Sequence, residues 1–314
     1  MSRAGRLSRT RQFGTGLGLV ALSGVLWALT PHFLTVPNLL NIAQQTSINA
    51  IVAVGMTYVI ISGGIDLSVG SIVALSGVVL GAALQDGQAL PLALALALAT
   101  GVACGVLNGA LISLGGLPPF IVTLGMMSIA RGAALVFTEG RPVSGFAPGF
   151  RALATGDVGG VPAPIVVTLV VYLVAHAVLT RTTFGRYLYA IGGNEEATRL
   201  SGVPVRLHKT MIYAVSGLVS AVAAVILTAR LNSAQPIAGM MYELDAIAAT
   251  VIGGTSLMGG EGTLAGTLVG ALIMGVLRNG LNLLGVSSFL QQIVIGAVII
   301  GAVLIDTVLT RHRN

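Results

Sequence analysis

Arg181–Lys209, RTTFGRYLYAIGGNEEATRLSGVPVRLHK, is a polar stretch with long apolar runs on both sides. Asn194 is a good N-cap residue, and the two glutamates after it suit the positive end of a helix dipole. Gly202 can adopt the left-handed conformation that ends a helix, and Pro204 prevents its continuation. The stretch predicts a short capped helix over 194–201, outside the membrane and unstable unless it packs on something. From these residues alone, a self-packed surface loop and a docking element are equally favoured.

The composition is that of a membrane protein. The chain has 314 residues, of which 55% are hydrophobic and 8% charged, and the mean hydropathy is +0.95. Soluble domains carry about 25% charged residues, so we expect several spans in lipid. The net charge of +6 does not indicate nucleic-acid binding, because the basic residues lie at the edges of apolar runs. Cys104 is the only cysteine, so no intrachain disulfide is possible, and no cysteine pair or histidine cluster indicates a metal site.

The apolar pattern predicts an all-α integral membrane protein with about ten passages. These cover 13–33, 39–62, 68–86, 89–114, 118–137, 163–180, 209–230, 243–258, 262–284 and 288–309. The passages at 39–62, 68–86 and 243–258 are interrupted or short, so some are expected to be broken or re-entrant helices. The predicted organisation is a basic segment 1–12, one transmembrane domain 13–309 and a tail 310–314. The first run has no convincing small-residue cleavage site, which predicts an uncleaved span.

The basic residues predict the orientation. With the N-terminus in the cytoplasm, the outer loops hold Arg141 and Arg151, with Arg230 at a span end. The inner segments then hold eleven: Arg3, Arg6, Arg9, Arg11, Arg181, Arg186, Arg199, Arg206, Lys209, Arg311 and Arg313. Positive charge favours the cytoplasmic side, so both termini and the 181–209 stretch are predicted to face the cytoplasm. The loop 138–162 is predicted to lie outside.

A weak internal repeat predicts two related halves. Gly63–Gly70, GGIDLSVG, matches Gly253–Gly260, GGTSLMGG, at an offset of 190, with four identical positions. Chance accounts for part of this match in a chain with 43 glycines. Paired glycine-rich breaks in two halves are typical of a transport pathway.

Catalysis is poorly supported by the sequence. A P-loop needs a lysine after glycine to hold phosphates, but Lys209 is the only lysine and follows His208. The chain is therefore not expected to bind ATP by that motif. An intramembrane hydrolase built on Ser256, with His176 as its nearest histidine, is a weak third possibility.

Charged residues in apolar segments are costly and often functional. Asp66 follows the first glycine break, and Glu243 and Asp245 open the short eighth passage, while Arg131 and Arg278 lie inside apolar runs. The alternative is structural, in which these residues form buried ion pairs or reach to the interface. That alternative is favoured for the two arginines and less so for Asp66.

Neutral polar side chains suit an uncharged, hydroxylated solute. Gln45 and Asn49 are four residues apart and share one helix face, and Asn279 and Asn282 share another. The alternative for each is a hydrogen bond between helices, which is common in membranes and slightly favoured for any single residue.

Several longer strings resemble the permease subunits of sugar ABC importers. They are NLLNIAQQTSINA at 38–50, AVGMT at 53–57, GIDLSVGS at 64–71, and GRYLYAIGGNEEATRLSG at 185–202. YELDAIAA at 242–249, GGTSL at 253–257 and NGLNLLGVSS at 279–288 are particularly similar to the ribose-permease branch of that family. The resemblance covers about residues 31–309, and is weak in the N-terminus and in 138–162.

The resemblance implies a membrane-spanning permease that is not itself an enzyme. It implies import of ribose or a similar simple sugar, with xylose and autoinducer-2 also transported in the family. Its implied partners are a second permease copy or a close paralogue, an extracytoplasmic sugar-binding protein, and a cytoplasmic ATPase that binds ATP and magnesium. The permease itself is implied to lie in a cell inner membrane. The implied ATPase-coupling residues are Gly185, Gly192, Asn194, Glu195, Glu196, Ala197, Leu200 and Gly202.

The candidate translocation pathway combines the polar and glycine-rich positions. Its residues are Gln45, Asn49, Gly63, Gly64, Asp66, Ser68, Gly253, Gly254, Thr255, Ser256, Asn279 and Asn282. The alternative function is a secondary transporter driven by an ion gradient, with Asp66, Glu243 and Asp245 as ion or proton sites.

Overall fold

The computed structural model describes the backbone of residues 3–311 and the side chains of residues 14–304. The charged side chains of the predicted segment 1–12 and tail 310–314 lie outside the described residues. The described part is almost entirely helical. Its helices are α1 (Arg3–Leu29), α2 (Val36–Ile61), α3 (Val69–Gln85), α4 (Leu90–Ser113), α5 (Pro119–Thr138), α6 (Pro148–Thr155), α7 (Ala163–Arg181), α8 (Thr183–Gly193), α9 (Glu195–Leu200), α10 (Val205–Leu231), α11 (Tyr242–Ile252), α12 (Leu264–Leu283) and α13 (Ser288–Arg311). Four two-residue strands form two antiparallel pairs, β1 (Val143–Ser144) with β4 (Ser233–Ala234) and β2 (Asp157–Val158) with β3 (Val161–Pro162).

Proline marks where many of these helices begin. Pro37, Pro91, Pro119, Pro148 and Pro164 each lie at the first or second position of a helix. Proline fits there because its fixed φ is helical and the first-turn N–H groups lack partners in any case. The positions of these prolines therefore account for where five of the helices begin.

Helices α2 and α10 form the centre of the bundle. The protein buries 83% of the apolar span of α2 and 67% of that of α10, against 28% for α4 and α5 and 22% for α7. The outer helices expose large apolar side chains, such as Phe137, Leu173 and Val174. Lipid is the solvent that suits such a surface, so the outer helices face the membrane.

A stripe of glycines brings α4 against α10. Gly101, Gly105 and Gly109 are spaced four apart on α4, and a β-carbon on each would collide with the main chain of α10 at Gly217, Tyr213 or Thr210. Small residues at this spacing let membrane helices approach closely enough for main-chain packing. The two helices therefore pack without intervening side chains along this stripe.

Six helices within the described residues are long and apolar enough to cross a membrane: α2, α4, α5, α7, α10 and α12. The predicted positions of all ten apolar passages correspond to helices, but ten full crossings are not confirmed. At 1.5 Å per residue the eleven residues of α11 span only about 16 Å, roughly half of a 30 Å hydrocarbon core. The passage 243–258 is thus short, as expected. The passage 39–62 is not interrupted, because α2 runs unbroken to Ile61.

The two glycine-rich repeats adopt the same turn, but one residue out of the predicted register. The Gly63 N–H donates to the Ile60 carbonyl, the Gly64 N–H donates to the Val59 carbonyl, and Gly63 has φ +82°. The same pattern occurs at Gly254, with φ +91°, whose N–H binds Val251. The structural offset is therefore 191 and not 190. The first turn ends α2 and precedes α3, and the second ends α11 and precedes α12.

Candidate functional site

Helices α8 and α9 form an arm at one end of the bundle, made of Thr183–Leu200. The predicted short helix is confirmed, because the Asn194 side chain accepts the Ala197 N–H at 2.9 Å and Gly202 has φ +84°. Helix α8 was not predicted. It begins at the Thr182 cap, and Gly185 in its first turn lies directly against the Leu179 carbonyl of α7.

The charged and apolar groups of α9 divide into two sets. Glu195 accepts a 2.7 Å ion pair from Lys209 at the start of α10, and Glu196 pairs with Arg199 one turn later. The hydrogen bonds from Arg199 hold the pKa of the Glu196 carboxyl below its usual range. Both glutamates are thus paired within the chain, whereas Leu200 is 75% exposed and Ala197 is also exposed. The surface that α9 leaves for a partner is therefore formed by apolar side chains.

The arm meets both glycine-rich turns at a contact that we call the junction, formed by Gly192–Gly193, Ile61–Gly64 and Gly259–Gly262. The Gly260 N–H donates to the Ile61 carbonyl at 2.8 Å, joining the end of α2 to the loop between α11 and α12. Gly192 lies against that same carbonyl and against the Gly260 nitrogen, with no space for a β-carbon. Tyr189 Oη donates to the Gly262 carbonyl at 2.7 Å. The arm is thus in main-chain contact with elements from both halves.

Asp66 lies in a fully buried hydrogen-bond network behind the first turn. Its Oδ1 accepts from the Ser68 N–H at 3.0 Å and the Ser68 hydroxyl at 2.6 Å, and its Oδ2 accepts from Ser216 at 2.8 Å. Asn108 donates to the Ser68 hydroxyl at 2.9 Å. The network joins the α3 start to α4 and α10, and its members are 0% exposed. Asp66 and Ser68 therefore pack between helices and do not line the pocket described below.

The second turn holds the other predicted glycine-region residues. Gly253 lies against Gly266 of α12, with main-chain atoms in contact. Thr255 is fully buried with an unpartnered hydroxyl, and the Ser256 N–H donates to the Glu261 carbonyl at 3.0 Å. The structure thus places Thr255 and Ser256 next to the junction.

A polar pocket lies between α2, α11 and α12. Arg278 Nη2 binds both carboxylate oxygens of Asp245 at 2.8 Å, and Asn49 Nδ2 donates to Asp245 Oδ2 at 3.1 Å. These three residues line the pocket with Gln45, Thr46, Ala249, Ala271, Met274 and Gly275, around an empty volume of about 380 Å³ that includes its open mouth. The prediction that Gln45 and Asn49 share a face is confirmed.

The remaining predicted polar residues are paired elsewhere. Asn279 and Asn38 exchange two amide hydrogen bonds, of 2.9 and 3.0 Å, between α12 and α2. Asn282 accepts from Gln291 at 2.7 Å, so the structure does not bring the two α12 asparagines to one site. Gln45 also donates to Asn41 at 2.8 Å along its own helix. Among residues 14–304, no group of three or more His, Cys, Asp or Glu side chains could hold a metal ion.

Sequence reasoning missed three contributors to these sites. It weighed Asp245 and Arg278 as intramembrane charges but left them out of the pathway, although opposite charges in neighbouring apolar helices signal a pair. Thr46 was not among the predicted pathway residues, yet it lines the pocket with Gln45.

The comparisons with known proteins identify the family. The family model described as the branched-chain amino acid transport system permease component matches residues 38–303. The chain is 49% identical to the ribose import permease protein of Bacillus subtilis, over 94% of this chain and 92% of the relative. It is 50% identical to the ribose import permease protein of Escherichia coli K12, over 92% of each. It is 38% identical to the D-allose transport system permease protein of the same strain, over 96% of this chain and 93% of the relative.

No solved structure gives a significant match. The family model and the ribose permeases each cover more than four-fifths of the sequence. The chain therefore belongs to the sugar ABC-importer permease family of membrane proteins.

Proposed function

We propose that the chain is the membrane-spanning subunit of an ATP-driven importer for ribose or a similar simple sugar. The observation that carries this is the 49–50% identity to ribose import permeases over more than nine-tenths of the chain, against 38–39% to the allose and arabinose permeases. The sequence offers no P-loop lysine, so ATP and magnesium are bound by a partner ATPase.

The arm is the proposed docking site for that ATPase. The eleven-to-three distribution of basic residues supports placing the arm, the junction and both termini in the cytoplasm. The exposed Leu200 and Ala197 suit a groove on the ATPase, and Gly192 transmits displacement of the arm to Ile61 and Gly260 through main-chain contact. Because packed main-chain atoms cannot be compressed, movement of α8 displaces the ends of α2 and of the α11–α12 loop together.

The complete importer also contains a second permease copy and an extracytoplasmic sugar-binding protein. The permease itself performs no catalysis in this proposal. It alternates between inward and outward access as ATP is bound and hydrolysed by its partner.

The experiment is reconstitution in liposomes with and without the ATPase of the same transport system and its binding protein. We expect uptake of radiolabelled ribose only with all components and ATP. Uptake by the permease alone under an imposed proton or sodium gradient would instead support the secondary-transporter alternative. Asp66 is hydrogen-bonded to Ser68 and Ser216, and Asp245 is paired with Arg278. These contacts within the chain give the secondary-transporter alternative no added support.

A further inference from the structure

The pocket between α2, α11 and α12 contains polar atoms that the chain itself does not satisfy. Thr46 is 5% exposed, and its buried hydroxyl oxygen has no hydrogen-bond partner. The Asn49 amide oxygen is also buried and unpartnered, although its nitrogen binds Asp245. Leaving a buried polar atom unpaired is unfavourable, and native proteins do so at few positions. Both residues line the same pocket, so their two buried, unpartnered oxygens are the hydrogen-bonding positions left for a ligand there.

The charges of the pocket cancel. Asp245 is nearly buried, and both of its oxygens bind Arg278, whose side chain is 40% exposed. The pocket thus holds one negative and one positive charge in direct contact, and Arg278 keeps guanidinium N–H groups beyond the one that binds Asp245. A charged ligand would gain attraction from one member of the pair and repulsion from the other. An uncharged ligand with several hydroxyl groups can use both donors and acceptors without disturbing the pair.

The apolar part of the lining also suits a small molecule. The rest of the lining is apolar and is formed by Ala249, Ala271, Met274 and Gly275. Small-molecule sites are typically concave and mainly apolar, with a few polar groups that fix orientation. Gly275 lies against the Thr46 hydroxyl, so a side chain there would fill this corner of the pocket.

We propose that Thr46, Asn49, Asp245 and Arg278 form a polar site without net charge that binds a polyhydroxylated sugar within the permease and sets which sugar passes. This rests on the proposed function for its ligand class. It assigns sugar selection within the chain to this pocket, and a packing role to the Asp66 network and the Asn38–Asn279 pair.

Thr46→Val gives the sharpest test, because it removes a hydroxyl that makes no internal hydrogen bond. The purified permease in lipid nanodiscs is titrated with ribose and, as a charged control, ribose 5-phosphate, using saturation-transfer NMR. We expect ribose to bind the native chain and ribose 5-phosphate to bind at least tenfold more weakly. Thr46→Val should weaken ribose binding at least fivefold while its Tm stays the same or rises. A role in packing alone would lower Tm and leave binding unaltered.

Asn49→Leu and Asn38→Leu form the matched pair. Both remove an amide from α2, but Asn38 bonds Asn279 and is not among the pocket-lining residues. We expect Asn49→Leu to reduce ribose affinity at least tenfold and Asn38→Leu to change it less than twofold while lowering Tm. Equal affinity losses in both variants, or unchanged binding in Asn49→Leu and Thr46→Val, would overturn the proposal.

Transport by the reconstituted importer separates this inference from the proposed function. If the native importer takes up ribose with ATP but Asn49→Leu shows the native KM and the native preference for ribose over arabinose, the site proposal alone fails. If the native importer shows no ATP-dependent uptake but the permease binds ribose through Thr46 and Asn49, the importer proposal alone fails.

Discussion

Gly192 lies directly against Ile61, whose carbonyl oxygen occupies the space where a side chain on Gly192 would begin. The same carbonyl accepts the Gly260 N–H at 2.8 Å. One main-chain oxygen therefore joins the arm, the end of α2 and the loop before α12. Three segments that are distant in sequence meet there without an intervening side chain.

Gly192→Val is expected to force the junction open, because the new side chain would collide with main-chain atoms that cannot rotate away. Overpacking of this kind typically costs about 1–3 kcal/mol. We expect at least a tenfold loss of ATP-driven ribose uptake in the reconstituted importer. Gly193→Val is the control, since a β-carbon at Gly193 meets no atom within 4 Å. Equal uptake by the two variants would exclude a role for the Gly192 contact.

Leu200→Asp is expected to disrupt docking of the ATPase without unfolding the permease. Leu200 is 75% exposed, so the charge is harmless in the free chain but becomes buried and unpaired in a complex, which is costly. Co-purification should then recover less than one-tenth of the ATPase, and stimulated ATP hydrolysis should fall in parallel. Val158→Asp, on an exposed strand of the predicted outer loop, should leave both measurements unchanged. Full association of Leu200→Asp would show that α9 is not the docking element.

Gly64→Ala and Tyr213→Phe are expected to be coupled. A β-carbon at Gly64 would collide with the Tyr213 hydroxyl, so Gly64→Ala should lower the free energy of unfolding by about 1–3 kcal/mol. That hydroxyl is buried and unpartnered, so Tyr213→Phe alone should leave stability unchanged or raise it by up to about 1 kcal/mol. The double variant should regain much of the loss. Additive effects in a denaturant titration of the detergent-solubilised chain would contradict this contact.

Single cysteines are expected to report the orientation of the arm. Gly193→Cys and Val158→Cys, each in a Cys104→Ser background, both place the thiol in exposed or open positions. Val158 is preferable to the nearby Gly156, where a β-carbon would meet the Ala152 carbonyl. An impermeant thiol reagent added to intact cells should label position 158 and spare position 193 until the cells are permeabilised. Labelling of 193 in intact cells would reverse the proposed topology.

Local chemistry could be predicted from the sequence, and distant pairing could not. The Asn194 cap and the left-handed Gly202 follow from preferences of single residues, and the structure has both. Helix α8 was missed because glycine disfavours a helix locally, whereas the tertiary contacts of Gly185 and Gly192 require residues without a side chain.

The polar pocket depends on partners far apart in the chain. Asn49 bonds Asp245 across 196 residues, and nothing in the spacing of either helix specifies that contact. The shared face of Gln45 and Asn49 follows from helical periodicity, but the partner helices that complete the site do not. The repeat likewise matches in letters at an offset of 190, while its hydrogen bonds match at 191.

The Asp66 network has a consequence for the order in which the chain is made. Asp66 and Ser68 are synthesised together, but Ser216 follows 150 residues later. At about 5–20 residues per second, the ribosome needs roughly 8–30 s to reach it. During that interval one carboxylate oxygen of Asp66 lacks the donor that the finished protein gives it, and α4 lacks the helix that its glycine stripe fits. The first half of the chain therefore leaves the ribosome before its packing can be completed, and the arrival of α10 completes it.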